Sequence, residues 1–401
     1  MTAAASPELM MQPDNRNGTD MKIEADFPTG RVEVVDASDP GDIRLRVPAD
    51  TGTDFLCWYN FRVTGPAGVL RRFTIENASD SLKLRLPNRE NQAHQWLGAG
   101  PVASADGENW TRLAHHFDGR AFRFWHVPRH EVTHYAKFAP YPPEREAAFL
   151  DRCAAAPGVT REAIGQSTEG RRIEMLRLGS GPLNFWVIAR QHPSETQGAF
   201  FLEGMLERLL TPDADARALL SAATLQVVPN VNPDGWMRGH TRANADGLNL
   251  NREWSADNPA PEVAAVRDAM ERTGVDFCLD CHADNELEYV FAWASENVPA
   301  WTPARRQPFE LFERNWAKAN PDYIPGRAYP GGCPAEADLS MGWNWIGNRF
   351  PDSLSILLEQ PFKDVQERPD PLTGWSPQRA HALGRAVVVP MAAEAARRSE
   401  P

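Results

Sequence analysis

The chain reads as an α/β protein, a mixed central sheet flanked by helices, preceded by an all-β sandwich domain. Three observations predict this. Between Ile23 and about Ala139, short runs of β-branched and aromatic residues recur between Gly, Pro, Asp and Asn clusters, the pattern of a sandwich or barrel. Beyond a proline-rich break, Phe138-Ala139-Pro140-Tyr141-Pro142-Pro143, apolar runs of strand length alternate with segments of helical periodicity, as where helices cover a parallel or mixed sheet. Finally, 401 residues exceed one ordinary core, so a large domain beside a smaller one, or two to three medium ones, is expected.

In chain order, residues 1–20 are polar and aperiodic and are expected to form a disordered leader. The sandwich is expected over residues 21–139, with strands at Arg31–Val35, Asp42–Val47, Phe55–Val63, Arg71–Glu76, Leu82–Leu86 and Ala121–Val127. Trp58 to Val63 alternate as a core strand should. Three prolines at the junction disfavour regular structure and mark the boundary. The second domain, 144–396, opens with a helix at Glu144–Cys153. Its strands are expected at Arg172–Leu178, Asn184–Ala189, Thr224–Val228, Val275–Cys281, Leu287–Trp293 and Leu354–Glu359. Helices are expected at Glu195–Leu210, Pro261–Thr273, Pro308–Asn320 and Pro377 to about Ala395, the last kinked at Pro390.

A formal net charge of -12 argues against nucleic-acid or anionic-membrane partners, whose phosphates the summed field would repel. Five scattered cysteines do not make a disulfide framework and fit a reducing compartment. No basic-then-apolar leader opens the chain and no run is long enough for a membrane span, so a cytoplasmic protein is expected. Oligomeric state is not legible.

The chemistry gathers around Asn184 to Leu210. The apolar run Phe185-Trp186-Val187-Ile188-Ala189 stops at Arg190-Gln191-His192-Pro193-Ser194-Glu195, placing His192 and Glu195 on a strand-to-helix turn, where open sheets hold ligands. Residues three apart across a helical turn face the same way, and an imidazole beside a carboxylate suits zinc, which in catalytic sites takes three protein ligands and a water. A second apolar run, Val275 to Cys281, ends in His282, the natural third ligand. Without it, Ser194 could simply cap a helix that Glu195 favours electrostatically. Between these ligands, Asn230 to Trp254 shows little periodicity. So long a loop inside a domain is functional or disordered, and Trp236 and Trp254 argue for order. Arginines held there, Arg238, Arg242 and Arg252, can grip a carboxylate or neutralise an oxyanion. A last apolar strand ends in Glu359, a carboxylate at the sheet edge that can serve as base toward a metal-bound water.

Two other motifs compete. His130-Glu131-Val132-Thr133-His134 satisfies the zinc-protease pattern His-Glu-x-x-His, which works only on a helix. Pro128 before it and β-branched Val132 and Thr133 within it favour extended chain, where residues four apart lie ~13 Å apart and cannot share one ion. Cys278-x-x-Cys281 lacks a second cysteine pair and fits a buried strand as small apolar residues.

Taken together, His192-x-x-Glu195, Asn232-Pro233-Asp234-Gly235, Arg242, Asn251-Arg252, His282 and Glu359 fall in an order that resembles the zinc metallocarboxypeptidases of the carboxypeptidase A type. Ala189 to Thr196, Asp246 to Arg252 and Leu358 to Asp364 are similar to the cytosolic carboxypeptidase-like branch, as are Trp58 to Val63 and Phe138 to Pro142; members of that branch carry a β-sandwich ahead of the catalytic domain. The resemblance implies one Zn2+ ion held by His192, Glu195 and His282, with Glu359 as base. It also implies that Asn251 and Arg252 bind the substrate's terminal carboxylate while Arg242 stabilises the oxyanion. The implied partners are peptide or protein C-termini, acidic ones among them. One element departs from the family: a substrate-capping tyrosine usually precedes the catalytic glutamate, yet Pro330 to Leu358 holds none, and Tyr329 lies just outside. A zinc amidoacylase and a non-catalytic binder of peptide C-termini are the alternatives, the first disfavoured by Asn251-Arg252 and the sandwich, the second by Glu359.

Overall fold

The computed structural model describes residues 21–83 and 95–400. Its N-terminal part contains β1 (Lys22–Glu24), β2 (Glu33–Asp36), β3 (Ile43–Arg46), β4 (Asn60–Thr64), β5 (Arg71–Ile75), β6 (Val102–Ser104), β7 (Thr111–Arg112), β8 (His115–Phe117), β9 (Phe122–His126) and β10 (Val132–Ala136). They form two five-stranded sheets, ordered β1-β4-β10-β6-β7 and β2-β3-β5-β9-β8. Inward-facing Leu45, Phe61, Val63, Phe73, Phe124 and Tyr135 pack between the sheets as one cluster, as the period-two alternation of a sandwich requires.

Two sequence expectations change here. Trp58 and Tyr59 are buried but precede β4, because the N–H groups of Cys57 and Trp58 donate to Thr241 Oγ1 at 2.9 and 3.0 Å instead of to a neighbouring strand. The run Leu82–Leu86 is no strand where it is described: Ala78–Lys83 is a 3-10 turn, with Ser81 Oγ donating back to the Ala78 carbonyl, a local bond that competes with extended structure. The remainder of that run, and the proposed leader 1–20, lie outside the described residues.

The second part is one seven-stranded sheet of β11 (Val159–Gln166), β12 (Arg172–Gly179), β13 (Leu183–Ala189), β14 (Ala223–Val228), β15 (Phe277–Asp284), β16 (Phe291–Ala294) and β17 (Leu354–Pro361), in the order β11-β12-β14-β13-β15-β17-β16. The four central strands are parallel and the outer ones antiparallel. Helices α1 (Pro143–Ala154), α2 (Gln197–Leu209), α3 (Ala214–Ala222), α4 (Pro233–Met237), α5 (Pro261–Thr273), α6 (Arg306–Ala319), α7 (Gly342–Arg349) and α8 (Pro377–Ser399) complete it. Alternate residues of β13 go to opposite faces: Phe185 and Val187 join the cluster of α2, α3, α6 and α8, whereas Trp186 and Ile188 join that of α5 and α7. Burial on both faces explains why this strand is apolar from Phe185 to Ala189.

The expected strand Leu287–Trp293 is shortened to β16, since Glu286 and Leu287 N–H bond Asp284 Oδ1 at 2.7 and 2.8 Å and turn the chain first. Edge strand β11 was not anticipated; its exposed charges suit an edge and hide its alternation. Helix α8 carries Pro390 inside it without ending there. It meets α2 backbone to backbone: a Cβ on Gly204 would lie 2.0 Å from the His381 carbonyl oxygen, and one on Gly384 1.8 Å from that of Phe201. Among the described residues, no helix is long and apolar enough to cross a membrane.

The chain runs from β13 to β14 on one side and then returns to β15 on the other. The carboxyl end of β13 is therefore a topological switch point, where such sheets leave a crevice for ligands.

Candidate active site

At that point Arg190 turns the chain with a φ of 58°, an uncommon conformation for a residue with a side chain. It is held there by burial: its Nε donates to the Pro229 carbonyl at 3.0 Å, its guanidinium pairs with Glu146 and lies 4.9 Å from the Trp236 ring centroid. His192 to Thr196 then form a turn. Helix α2 begins at Gln197, later than the expected Glu195, because the side chains of the turn bond outward. Ser194 Oγ donates to the Thr241 carbonyl at 2.6 Å and Thr196 Oγ1 to that of Ala139 at 2.8 Å; Ser194 caps nothing.

The turn brings His192 and Glu195 against His282 near the end of β15. His192 Nδ1 lies 2.8 Å from Glu195 Oε1, His282 Nδ1 3.0 Å from Glu195 Oε2, and the two Nδ1 atoms 3.2 Å apart. Tetrahedral zinc with nitrogen ligands at ~2.1 Å holds them ~3.4 Å apart. Both remote nitrogens are engaged: His192 Nε2 with Asn249 Oδ1 at 3.0 Å and His282 Nε2 with Asp280 Oδ1 at 3.2 Å. Asp280 also accepts from Gln191 Nε2 at 2.9 and 2.8 Å, and Gln191 Oε1 from Trp254 Nε1 at 2.7 Å. Partners of this kind fix imidazole orientation and turn the opposite nitrogen toward a metal. Among the described residues, these three side chains alone form a group of three or more whose candidate ligand atoms lie within 4.8 Å of one another.

Electrostatics ask for a cation at the same place. Burial opposes the charge on Glu195, yet the two histidines together hold it below the ordinary carboxylate range. Burial disfavours the imidazolium of His282, but Asp280 and Glu195 hold its pKa well above the usual value. Burial and the positive Arg242 lower His192 to about 4. Two buried carboxylates thus clamp a positive charge between them, and a divalent ion on the facing nitrogens fits that donor set.

Glu359 stands beside His282 in register on β17. Burial, with Glu195 and Asp284 adding to it against His282, pushes its carboxyl up to about 8. Its Oε1 accepts from the Tyr329 hydroxyl, while Oε2 is buried and bonded to none of the described residues. Tyr329, directly before the Pro330 to Leu358 stretch that holds no tyrosine, packs edge-on to Phe291 with ring centroids 4.8 Å apart and does reach the site. Asp280, Asn249 and Gln191 were also missed. For Asp280 a signal existed: a charge inside a strand buried along its whole length needs a partner.

The stretch from Asn230 to Trp254 is not an aperiodic loop. It contains α4, capped by Asn232 Oδ1 accepting from Gly235 N–H at 3.0 Å, and a 3-10 turn at Leu250–Arg252. Asp234 does not face the metal cluster; it accepts from Ser167 Oγ, Glu169 N–H and Arg171 Nη1 at 2.7, 2.8 and 2.7 Å. Asn251 Oδ1 accepts from Gly342 N–H at 2.8 Å, and Arg252 Nε lies 3.7 Å from Asp338 Oδ2. The two competing motifs dissolve. His134 is in strand β10. Cys278 and Cys281 fall in different clusters on opposite faces of the sheet, and burial raises both thiols well above their ordinary pKa.

Residues 147–344 match the family described as zinc carboxypeptidase, and residues 23–138 match the cytosolic carboxypeptidase N-terminal domain. The crystal structure of a metallo-carboxypeptidase from Burkholderia cenocepacia is 36% identical with a TM-score of 0.88, covering 94% of this chain and 100% of that one. This chain belongs to the zinc carboxypeptidase family. A metallo-carboxypeptidase from Pseudomonas aeruginosa, solved in complex with (2-guanidinoethylmercapto)succinic acid, is 37% identical with a TM-score of 0.87 over 93% of this chain and 98% of its own. Mouse cytosolic carboxypeptidase 6 is 25% identical over 69% of this chain, which spans 55% of that relative's length. This chain is accordingly a metallocarboxypeptidase, a hydrolase of a zinc-dependent family that acts on peptide or protein C-termini. The family match ends at Asn344, before Glu359, so the case for that residue is geometric.

Proposed function

We propose that this metallocarboxypeptidase removes C-terminal residues from peptides or proteins, with His192, Glu195 and His282 as zinc ligands and Glu359 as the general base. Zinc bound there supplies a Lewis acid and a water of lowered pKa. The observation that carries the reading is the register pair His282 and Glu359, which sets a buried, unbonded carboxylate oxygen beside the candidate ligands. A cation on the neighbouring ligands would draw the raised carboxyl pKa back down, and once ionised that oxygen can take a proton from the attacking water and return it to the leaving amine. Tyr329 orients Glu359 through the other oxygen.

Asn251, its carbonyl oxygen already accepting from Gly342, has its amide donors left for a carboxylate. With Arg252 it would bind the terminal carboxylate, for which a guanidinium fork is suited. Arg242, whose charge is felt at His192, would stabilise the developing oxyanion. Likeness to the cytosolic carboxypeptidases supports acidic C-terminal residues, glutamate in particular, as leaving groups. Five free cysteines, none disulfide-bonded, support a cytoplasmic setting. The test is a panel of peptides varied at the last position, with and without a chelator. Single amino acids released only by the metal-loaded protein are expected. Hydrolysis persisting in metal-free protein, or release of acyl groups alone, would overturn the assignment.

A further inference from the structure

Resting on the role given to Arg242, we infer that Asp50, a sandwich residue, is a positioning residue for catalysis, because it holds the backbone segment that carries Arg242. Asp50 is 2% exposed and sits in a tight turn fixed by its own N–H bond to the Phe55 carbonyl at 2.8 Å and by Thr53 N–H donating to its carbonyl at 3.1 Å. Its carboxylate accepts three successive backbone N–H groups of the other domain: Thr241 on Oδ1 at 2.6 Å, and Arg242 and Ala243 on Oδ2 at 2.7 and 2.9 Å. A run of N–H groups converging on one anion is a strong, directional clamp.

The clamp is reinforced from both sides. Thr241 Oγ1 accepts from the N–H groups of Cys57 and Trp58, and His240 ties Thr51 Oγ1 to the Ala243 carbonyl at 3.2 and 3.1 Å. The Arg242 guanidinium lies 5.7 Å from the Phe55 ring centroid. On the opposite side, Ser194 of the metal turn donates to the Thr241 carbonyl at 2.6 Å. Residues 240–243 are therefore suspended between the sandwich and the turn bearing His192 and Glu195. The sandwich is thereby part of the active site, although none of its side chains is needed to touch a reacting atom.

Asp50→Asn keeps the shape but turns one acceptor into a donor. Either orientation of the amide then faces at least one N–H it cannot accept, and Arg242 loses its fixed setting. Unchanged zinc stoichiometry is expected, with kcat lower by about 10- to 100-fold and KM within about threefold, a fraction of what deleting an oxyanion donor costs. A phosphinic peptide mimicking the tetrahedral species should lose affinity by the same factor, whereas binding of the amino-acid product should not change. In an Arg242→Ala background, Asp50→Asn should lower kcat by less than about twofold, since the two act as one unit.

Equal losses with and without Arg242, or wild-type kcat in zinc-loaded Asp50→Asn, would overturn the inference. Wild-type kcat in Arg242→Ala would instead overturn the oxyanion role of Arg242 itself. Should Asp50→Asn not fold, Asp50→Glu, which keeps the charge but displaces both acceptor oxygens from the three N–H groups, carries the same expectation and the same overturning results.

Discussion

His130-Glu131-Val132-Thr133-His134 and His192-Pro193-Ser194-Glu195 both put histidine and glutamate at short spacing, and among the described residues only the second meets a third candidate metal donor. His130-Glu131-Val132-Thr133-His134 has the better-known pattern. But its second half lies in β10, paired with β4 and β6 so that His134 stands opposite both Arg62 and Ser104. Four residues of extended chain separate side chains by ~13 Å. His192 and Glu195 are only three apart on a turn, with 2.8 Å between nitrogen and oxygen, and a neighbouring parallel strand delivers His282. The lesson is that ligand spacing has meaning only together with the backbone that carries it: the proline before the first motif and its β-branched interior decide against it more firmly than its letters speak for it.

The largest test of this contrast is His282→Ala. Loss of stoichiometric zinc and a fall of at least about 10³-fold in kcat/KM are expected, read by metal analysis and release of C-terminal residues; retained zinc would break the comparison. Next, Glu359→Gln should keep the metal and lower kcat by about 10²- to 10⁴-fold, as for loss of a general base. Its melting temperature should hold or rise, because a buried carboxyl is removed. Asp280→Asn should weaken zinc binding by about 10- to 100-fold in competition with a chelator, the usual cost of losing a histidine's outer partner, with smaller effects on kcat once metal saturates. The smallest effect is expected from His134→Ala: unchanged zinc and kcat, and under about 1 kcal/mol of stability from its half-buried, edge-on contact with Trp110. If that variant alone lost zinc, the two stretches would exchange roles.

The parts of the fold visible in the sequence are those buried on both faces. β13, β15 and β17 are runs of apolar residues, and each ends near a residue of the site, so strand, turn and donor could be read together. β11 escaped because an edge strand can carry charge at Arg161 and Glu162. The site divides in the same way. His192, Glu195, His282 and Glu359 are polar residues at the ends of apolar runs, and the three donors of the candidate ligand set were expected to meet. Gln191, Asn249, Asp280, Tyr329 and Asp50 act through bonds between residues far apart in sequence, 89 positions for Gln191 and Asp280 and 192 for Asp50 and Arg242. Such pairings leave no periodic trace. Tyr329 lies 30 positions before Glu359, and the Tyr289–Ala328 hydrogen bond and the Phe291 contact bring it back to the site.

The glycine seam between α2 and α8 gives the last helix a place in the metal chemistry without a single donor of its own. With carbonyl oxygens where Cβ atoms would stand, the two helices have no slack, and α2 leads directly back to the turn of His192 and Glu195. One added methyl group, in Gly204→Ala or Gly384→Ala, forces overpacking worth about 1–3 kcal/mol at a contact that braces the metal turn from behind. Heat tolerance and grip on the ion should therefore decline in step, although neither position is among the candidate ligands.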